Sequence, residues 1–194
     1  MLTKEEVLKI FEESHALLSG HFKLTSGYHS NQYLQCAKVL QFPQYSKLLA
    51  GDLIQKIPFA NEITVVVGPA IGGITLSYEI GSQLGIKTIF AERENGKMTL
   101  RRGFEISQKD KIFIVEDVIT TGGSVKEVIE FLQNQGATVL GVGSIVDRSN
   151  GSVEFGIPYY PVLSLEVEKY KPEDCPLCQQ GIELYTPGSK FIKK

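Results

Sequence analysis

The stretch IFIVEDVITTGGS, residues 112–124, joins an apolar run, two adjacent carboxylates and a loop of hydroxyls and glycines. The apolar run predicts a buried strand over residues 111–115, with the carboxylates of Glu116 and Asp117 directly after it. Ligands bind at this end of the strands in open α/β sheets. A helix is predicted next, over residues 124–135. Strand, loop and helix in this order are typical of a βαβ unit and therefore of a parallel sheet.

The same order recurs on both sides of this stretch. Further strands are predicted at residues 63–67, 87–91 and 138–146, and a helix at about residues 73–84 follows the first of them. We therefore expect an α/β fold with a central, mostly parallel sheet flanked by helices. Because no linker-like or low-complexity segment interrupts the pattern, the 194 residues form one domain in this prediction.

The two ends of the chain lack this alternation. Thr3 and Glu6 form a capping box that predicts a first helix, with an apolar face continuing to Leu18 and an end at Gly20. Short strands and loops are expected next, then a helix over residues 45–56. We expect residues 1–60 to form an N-terminal hood, residues 61–165 the core, and residues 166–194 an irregular C-terminal extension.

The loop after the acidic pair has the chemistry of a phosphate site. Gly122 and Gly123 allow backbone N–H groups to approach a phosphate closely, and hydroxyls come from Thr120, Thr121 and Ser124. The N-terminus of the following helix adds partial positive charge. The two carboxylates suit the hydroxyls of a sugar, directly or through Mg²⁺. Together these groups indicate a site for a ribose 5-phosphate.

Other interpretations of the stretch fit less well. A Walker A loop requires Gly-Lys-Ser/Thr, which is missing, and the glycine spacing of a dinucleotide-binding fingerprint is missing too. Phospho-acceptor receiver domains carry an acidic pair, but on their first strand and without Thr-Thr-Gly-Gly-Ser. An incidental glycine-rich turn is the remaining alternative.

Composition excludes several classes of protein. The 20 basic and 22 acidic residues nearly balance, which argues against a partner such as nucleic acid that needs a broad basic face. No apolar run reaches the roughly 18–20 residues of a membrane span. The N-terminus has no signal-peptide core, and three cysteines fit a reduced compartment. We expect a cytoplasmic protein without membrane or nucleic-acid partners.

The few arginines are unevenly placed. Only four of the basic residues are arginines, and Arg93, Arg101 and Arg102 lie within ten residues of one another. Arginine presents a rigid fork of donors that suits phosphate and carboxylate. Ordinary surface salt bridges are the alternative explanation.

These motifs resemble the type I phosphoribosyltransferases, which use phosphoribosyl pyrophosphate (PRPP), and within them the orotate phosphoribosyltransferase family. The resemblance covers nearly the whole chain. Besides the acidic stretch it includes residues 22–27 with Ser30 and Tyr33, residues 68–70, Arg93 with Lys97, and residues 146–148. It implies the type I phosphoribosyltransferase fold and transfer from PRPP to orotate, with Mg²⁺ held mainly by PRPP. A purine-base phosphoribosyltransferase and a PRPP-sensing regulatory protein are the alternatives.

The resemblance also implies which residues bind each part of the substrates. The base would contact Ser26, Gly27, Tyr33, Thr120 and Arg148, the last of which could instead pair with Asp147. The pyrophosphate loop would be Pro69, Ala70, Ile71 and Gly72. PRPP would contact Arg93, Lys97, Glu116, Asp117, Val118, Ile119, Thr120, Thr121, Gly122, Gly123 and Ser124. Catalytic roles fall to Lys97 at the leaving group and to Asp117 at the ribose.

The segment of residues 92–103 would be the mobile loop of this family. Such a loop closes over the pyrophosphate, often in the neighbouring subunit of a homodimer, and Gly96 could act as its hinge. A plain solvated hairpin is the alternative. The sequence departs from the common family pattern here, because Glu94 follows Arg93 and the loop holds no histidine. Lysines common in the family are replaced by Gly72 and Thr25.

Cys175 and Cys178 form a single CxxC, which is half of a zinc site. Two such tails in a symmetric dimer could complete a four-cysteine site, but reduced structural cysteines or a redox-labile pair are favoured. His15, His21 and His29 show no ligand spacing and are expected at the surface or at a pocket edge.

Overall fold

The computed structural model describes residues 1–24 and 26–186. Thr25 in the motif near the N-terminus, and the last eight residues of the predicted extension, lie outside this part. The helices are α1 (Lys4–Glu13), α2 (Ala37–Leu40), α3 (Pro43–Lys56), α4 (Gly72–Leu84), α5 (Gly123–Asn134) and α6 (Pro176–Gln179). The strands are β1 (Leu17–Lys23), β2 (His29–Leu34), β3 (Val65–Pro69), β4 (Lys87–Glu94), β5 (Lys97–Leu100), β6 (Lys111–Ile119), β7 (Thr138–Asp147) and β8 (Tyr159–Ser164).

A six-stranded sheet with the order β5-β4-β3-β6-β7-β8 forms the centre of the molecule. All neighbouring strands are parallel except β4 and β5, which form an antiparallel hairpin. The inner strands read as continuous apolar runs because helices cover both faces. Every residue of β3 is buried. The predicted α/β fold with a mostly parallel sheet is confirmed, and the carboxyl ends of its parallel strands meet at one edge.

The first helix is shorter than the sequence predicts. It ends at Glu13, and Leu17 and Leu18 belong to β1 instead of the helical face. Ser14 donates its hydroxyl to the carbonyl of Ile10 at 2.7 Å, and the following His15 has a left-handed backbone with φ 52°. A residue in that conformation cannot continue a right-handed helix, so the prediction of an end at Gly20 was wrong.

The strand that carries the acidic pair is longer than predicted. Instead of ending at residue 115, β6 continues to Ile119, because Val118 and Ile119 pair with the last residues of β7. Glu116 and Asp117 are therefore strand residues. Likewise β4 continues past residue 91 to Glu94 and turns back as β5. Pairing with a neighbouring strand extends both elements beyond their apolar cores.

The C-terminal extension is attached to the hairpin of β1 and β2. Tyr185 donates its N–H to the carbonyl of His21 at 2.8 Å and accepts the N–H of Lys23 at 2.9 Å. Tyr170 and His29 exchange two further backbone hydrogen bonds. The hairpin and the described part of the extension thus form one layer beside the main sheet. Within the described ranges, none of the helices is long and apolar enough to cross a membrane.

Candidate active site

The loop between β6 and α5, with the first two residues of α5, forms a small concave surface at the carboxyl edge of the sheet. We call residues 120–124 the cradle. They line a cavity of about 80 Å³ together with Glu116, Val118, Ile119 and Val125. Gly122 precedes α5 with φ 70°, and a Cβ there would lie 2.7 Å from the side chain of Val153. Both the backbone conformation and the packing therefore require glycine at this position.

The start of α5 has no side-chain cap. The first N–H groups of a helix have no partner within the helix, and they carry the positive end of its dipole. Such donors must be met by water or by a ligand. An uncapped helix start behind a glycine turn fits the phosphate site that the sequence predicts.

The two carboxylates of the acid pair, Glu116 and Asp117, lie on different sides of β6. Glu116 lines the cradle cavity. Asp117 lines a second cavity of about 190 Å³ beside Ile71 and Gly72, at the start of α4. Successive residues of a strand project to opposite faces, which explains the division. Glu116 therefore faces the cavity of the cradle, and Asp117 faces the cavity beside the predicted pyrophosphate loop.

No cation of the described chain lies against the acid pair. In the described part of the chain neither Glu116 nor Asp117 forms a salt bridge, although Val118 donates its N–H to Asp117 Oδ1 at 2.8 Å. Burial, with the charge of Asp117 beside it, raises the pKa of Glu116 to about 8. Burial also raises the pKa of Asp117. A positive or hydrogen-bonding ligand would relieve this unfavourable arrangement.

The predicted pyrophosphate loop connects β3 to α4. Ala70 donates its N–H to the carbonyl of Ala91 at 2.7 Å, and the Ala70–Ile71 peptide bond is cis. Helix α4, like α5, begins without a side-chain cap. A Cβ on Gly72 would lie 2.7 Å from Cγ of Asp117. The close approach of this carboxylate leaves little room for a side chain at position 72.

Arg148 follows β7 at the same edge of the sheet. It donates its backbone N–H to the carbonyl of Ile119 at 2.8 Å, which places it beside the start of the cradle. Its Nε is buried and has no hydrogen-bond partner among the described residues. Burial lowers the pKa of its guanidinium, an effect that nearby Cys36 and Tyr33 oppose. Unpaired and partly desolvated, Arg148 is suited to a carboxylate of a ligand.

The alternative in which Arg148 pairs with Asp147 is absent from the described ranges. Asp147 instead accepts the backbone N–H of Ser149 at 2.8 Å. On the opposite side, Tyr33 on β2 packs against Phe22 with ring centroids 5.7 Å apart. Tyr33 also lies near enough to Arg148 to affect the pKa of its guanidinium. Residues of both the hood and the core therefore contribute to this end of the site.

Ser26 and Gly27 form the tip of the β1–β2 hairpin. Gly27 donates its N–H to the carbonyl of Leu24 at 2.9 Å and has φ 86°, a conformation that favours glycine. Neither residue lines the cradle cavity. Their role in binding the base stays a prediction.

Residues 92–103, which we call the basic hairpin, are built from the ends of β4 and β5. Their arginines are exposed and paired with glutamates. Arg93 binds Glu127 of α5 through two hydrogen bonds of 2.8 and 2.7 Å. The other two pairs are Arg101 with Glu94 at 3.2 Å and Arg102 with Glu92 at 3.0 Å. The shape is that of the solvated hairpin considered as the alternative.

Lys97 differs from these arginines. It is exposed and takes part in none of the salt bridges of the described chain. It borders a cavity of about 410 Å³ against α5, whereas neither Lys97 nor Arg93 lines the cradle. The structure thus brings together the acid pair, the cradle, the pyrophosphate loop and Arg148, and it leaves the two hairpin cations outside this group.

One group of residues was not expected. His21 and His29 are buried, with 3% and 5% of their surface exposed, and they lie against Cys175 and Cys178. The prediction of surface histidines was correct only for His15, which is exposed. The CxxC was the only signal in the sequence. The two histidines are separated by seven residues across a hairpin turn, which is wider than the three to five residues typical of paired histidines in zinc motifs.

Comparison with known proteins shows the family of the chain. A family model described as "Phosphoribosyl transferase domain" matches residues 39–177. An orotate phosphoribosyltransferase of Caldanaerobacter subterraneus subsp. tengcongensis is 52% identical over 191 residues, 98% of this chain and 100% of that protein. One of Pelotomaculum thermopropionicum is 55% identical over 192 residues, again 98% and 100% of the two chains.

The fold also has solved counterparts. The crystal structure of orotate phosphoribosyltransferase from Aeropyrum pernix superimposes with a TM-score of 0.73 at 24% identity, covering 82% of this chain and 93% of that one. At this level of identity the likeness concerns the fold.

Proposed function

Since the chain belongs to the phosphoribosyltransferases and, among them, to the orotate phosphoribosyltransferases, we propose that it transfers the 5-phosphoribosyl group of PRPP to orotate in pyrimidine nucleotide synthesis. N1 of orotate forms a bond to C1′ of PRPP. The bond from C1′ to the pyrophosphate oxygen breaks, and its electron pair leaves with pyrophosphate. The products are orotidine 5′-monophosphate and pyrophosphate.

The observation that carries this proposal is the unpartnered Nε of Arg148 beside the cradle. A half-buried guanidinium without a counter-ion is costly unless a ligand completes it. Orotate brings a carboxylate that guanidinium can grip through two hydrogen bonds. Purine bases and uracil have no such group, so this position favours orotate among the bases that react with PRPP.

The cradle and the acid pair would hold the phosphoribosyl group. The uncapped start of α5 binds the 5′-phosphate, and Glu116 and Asp117 bind the ribose hydroxyls. As C1′ acquires oxocarbenium character, Asp117 stabilises the positive charge from the pyrophosphate side. The raised pKa of the acid pair supports this role, because the carboxylates gain most when positive charge develops beside them.

The donor set also fits the Mg²⁺ that the family uses. Glu116 and Asp117 offer hard oxygen ligands without a cation of their own in the described chain, and Mg²⁺ is usually held by one or two carboxylates together with substrate phosphates. We propose that PRPP supplies most of its ligands and that the acid pair approaches it through the ribose. The ion would neutralise charge on the departing pyrophosphate.

The basic hairpin would act in a homodimer. Lys97 is exposed, unpaired within the described residues and absent from the lining of its own cradle, which supports a role at the site of a neighbouring subunit. There it would contact or protonate the leaving pyrophosphate. Arg93 would join it by exchanging Glu127 for phosphate. The reduced cysteines of the chain support a cytoplasmic location.

We further propose the division into a hood of residues 1–60, a PRPP-binding core of residues 61–165 and an extension of residues 166–194. The hood and the core would both contact the orotate base, which the proximity of Tyr33 and Arg148 supports. The extension would stabilise the hood through its backbone hydrogen bonds to the β1–β2 hairpin.

The decisive experiment follows orotate absorbance in the presence of PRPP and Mg²⁺. Parallel reactions contain adenine, hypoxanthine or uracil in place of orotate. We expect consumption of orotate alone. Turnover of a purine without turnover of orotate would support a purine-base enzyme, and PRPP binding without any turnover would support a PRPP sensor; either result would overturn the proposal.

A further inference from the structure

Four potential metal ligands meet where the C-terminal extension packs against the β1–β2 hairpin. His21 lies on β1 and His29 begins β2. Cys175 directly precedes α6, and Cys178 lies within it. Each contributes one ligand atom, and these four atoms all lie within 4.8 Å of one another. We call these residues the His–Cys cluster. It is separate from the cradle, whose lining includes none of them.

Four of the six distances between the ligand atoms of the His–Cys cluster are close to those of a tetrahedron around one ion. His21 Nε2 lies 3.0 Å from His29 Nδ1, 3.5 Å from Cys175 Sγ and 3.8 Å from Cys178 Sγ. His29 Nδ1 lies 3.3 Å from Cys178 Sγ. Zinc bonds of about 2.0–2.1 Å to nitrogen and 2.3 Å to sulfur place tetrahedral ligands about 3.3–3.8 Å apart. One small ion between the four atoms would therefore need only slight adjustments.

The orientation of His21 is set by a hydrogen bond outside the cluster. Its Nδ1 lies 2.8 Å from the carbonyl oxygen of Ile182. Because a carbonyl only accepts, Nδ1 carries the proton and the lone pair of Nε2 points toward the other three atoms. A backbone carbonyl that fixes the tautomer of a ligating histidine is the usual outer contact of a protein metal site.

Burial also favours a metal. His21, His29 and Cys175 are almost fully enclosed, and Cys178 is exposed at the edge. Nε2 of His21 and Nδ1 of His29 lie 3.0 Å apart, and each can offer a lone pair to a cation that the enclosed cluster shields from water. The exposed thiol gives the cluster an entrance for an ion. Both cysteines are free, as metal binding requires.

We propose that the His–Cys cluster is a structural Cys₂His₂ zinc site within one chain. Zinc binding would displace one proton from each of the two thiols and would leave the imidazoles neutral, with no change in oxidation state. Four protein ligands close the coordination sphere, so the ion has a structural role and no open position for catalysis. This differs from a four-cysteine site shared by two tails, because each chain completes its own.

The site would tie the extension to the hairpin that bears Ser26 and Gly27. Backbone hydrogen bonds from Tyr170 and Tyr185 already hold the same two strands, and the ion would lie between them. If the proposed function is correct, loss of zinc loosens the base-binding side of the site. The KM for orotate should then rise several-fold more than the KM for PRPP.

The first test uses wild-type protein purified without added zinc or chelating resin. We expect elemental analysis to find about one zinc ion per chain, and X-ray absorption at the zinc edge to show two sulfur neighbours at about 2.3 Å and two nitrogen neighbours at about 2.0–2.1 Å. Half an ion per chain with four sulfur neighbours would overturn the proposal in favour of a site between subunits. Metal-free protein that binds no added zinc would also overturn it.

The second test uses matched variants. We expect His29→Ala and Cys178→Ala to lower the zinc content at least about tenfold, whereas His15→Asn and Gln179→Ala keep it unchanged. His15 and Gln179 are exposed, and asparagine tolerates the left-handed backbone at position 15. Full zinc content in His29→Ala would exclude His29 as a ligand. Since zinc is measured without any substrate, these results stand apart from the outcome of the orotate assay.

Discussion

Two charged regions of this protein differ in how their charges are balanced. At the carboxyl edge of the sheet, Glu116, Asp117 and Arg148 are half-buried and form no salt bridge in the described ranges. On the basic hairpin the three arginines are exposed, and each is paired with a glutamate of the same chain. In the first region no ion pair of the described chain neutralises these groups, which leaves them available to a ligand. In the basic hairpin, glutamates of the same chain already neutralise the arginines.

The difference changes how the clustered arginines are interpreted. Their density in the sequence suggested an anion site, but an exposed pair of this kind contributes only about 0–1 kcal/mol and occurs on ordinary surfaces. A buried charge without a partner costs far more and is kept only where it is used. Burial and the missing partner, more than the number of arginines, therefore mark the site.

The largest expected effect is at Arg148. We expect Arg148→Ala to raise the KM for orotate about 100-fold or more, because a bidentate partner of a buried carboxylate is lost, while the KM for PRPP changes little. Steady-state kinetics with each substrate varied in turn measures both constants. Arg148→Lys is the matched variant, and we expect it to recover only part of the loss, since lysine lacks the planar fork. An unchanged KM for orotate in Arg148→Ala would remove this residue from the base pocket.

The next effect concerns the one hairpin cation without a partner in the described chain. We expect Lys97→Ala to lower kcat about 10- to 100-fold by removing a positive charge at the leaving group, with a much smaller change in orotate binding. Lys109→Ala, an exposed lysine outside the basic hairpin, serves as the control. Steady-state turnover and orotate titration separate the two effects. Turnover equal to that of the wild type would exclude Lys97 from the mechanism.

A mixture of the two impaired variants, assayed at an orotate concentration near the wild-type KM, extends this test to the dimer. If Lys97 acts in the neighbouring subunit, random dimers of Lys97→Ala and Arg148→Ala contain one complete site in every four and recover about a quarter of wild-type activity. If Lys97 acts within its own chain, no complete site forms and the mixture stays as impaired as the separate variants.

A smaller effect on stability is expected at Glu116. Its pKa is about 8 in the folded chain against an ordinary 4.5, so over this interval the folded state retains a proton that the unfolded chain has lost. The free energy of unfolding therefore falls as pH rises through this interval. We expect the free energy of unfolding of Glu116→Gln to depend less on pH over this interval. At pH values above the interval, the substitution should stabilise the ligand-free protein by about 1–3 kcal/mol.

Urea unfolding at about pH 6 and about pH 8.5 measures this change. The exposed Glu130→Gln on α5 is the control, and its pH dependence should match that of the wild type. If the free energy of unfolding of Glu116→Gln changes with pH as much as that of the wild type, ionisation of Glu116 does not destabilise the folded state.

The smallest effect is expected at an exposed pair. Arg101→Gln breaks the contact with Glu94 on the basic hairpin, and we expect the free energy of unfolding to change by no more than about 0.5 kcal/mol, with less effect at high salt. The same urea titrations, at low and high salt, provide the measurement. A change as large as the roughly 1–3 kcal/mol expected at Glu116 would contradict the distinction between the two regions.

Much of the fold and of the candidate site follows from local sequence. The apolar runs of the core strands and the glycine turn of residues 120–124 lie at the predicted places. Errors occurred where pairing with distant residues decided the outcome, as for β6, which continues past residue 115 because β7 pairs with it. At His15 the missed signal was a single left-handed residue that ended a helix whose apolar pattern continued.

The sequence by itself determined the cradle, because its glycines, hydroxyls and helix start are consecutive and their geometry follows from a single turn. Only the tertiary structure decided which charges lack partners, since the glutamates that neutralise the hairpin arginines include Glu127 on another element. The same holds for the His–Cys cluster, whose His21 and Cys175 lie 154 residues apart in the chain. Local chemistry can be recognised from neighbouring letters, whereas burial and pairing depend on which distant segments pack together.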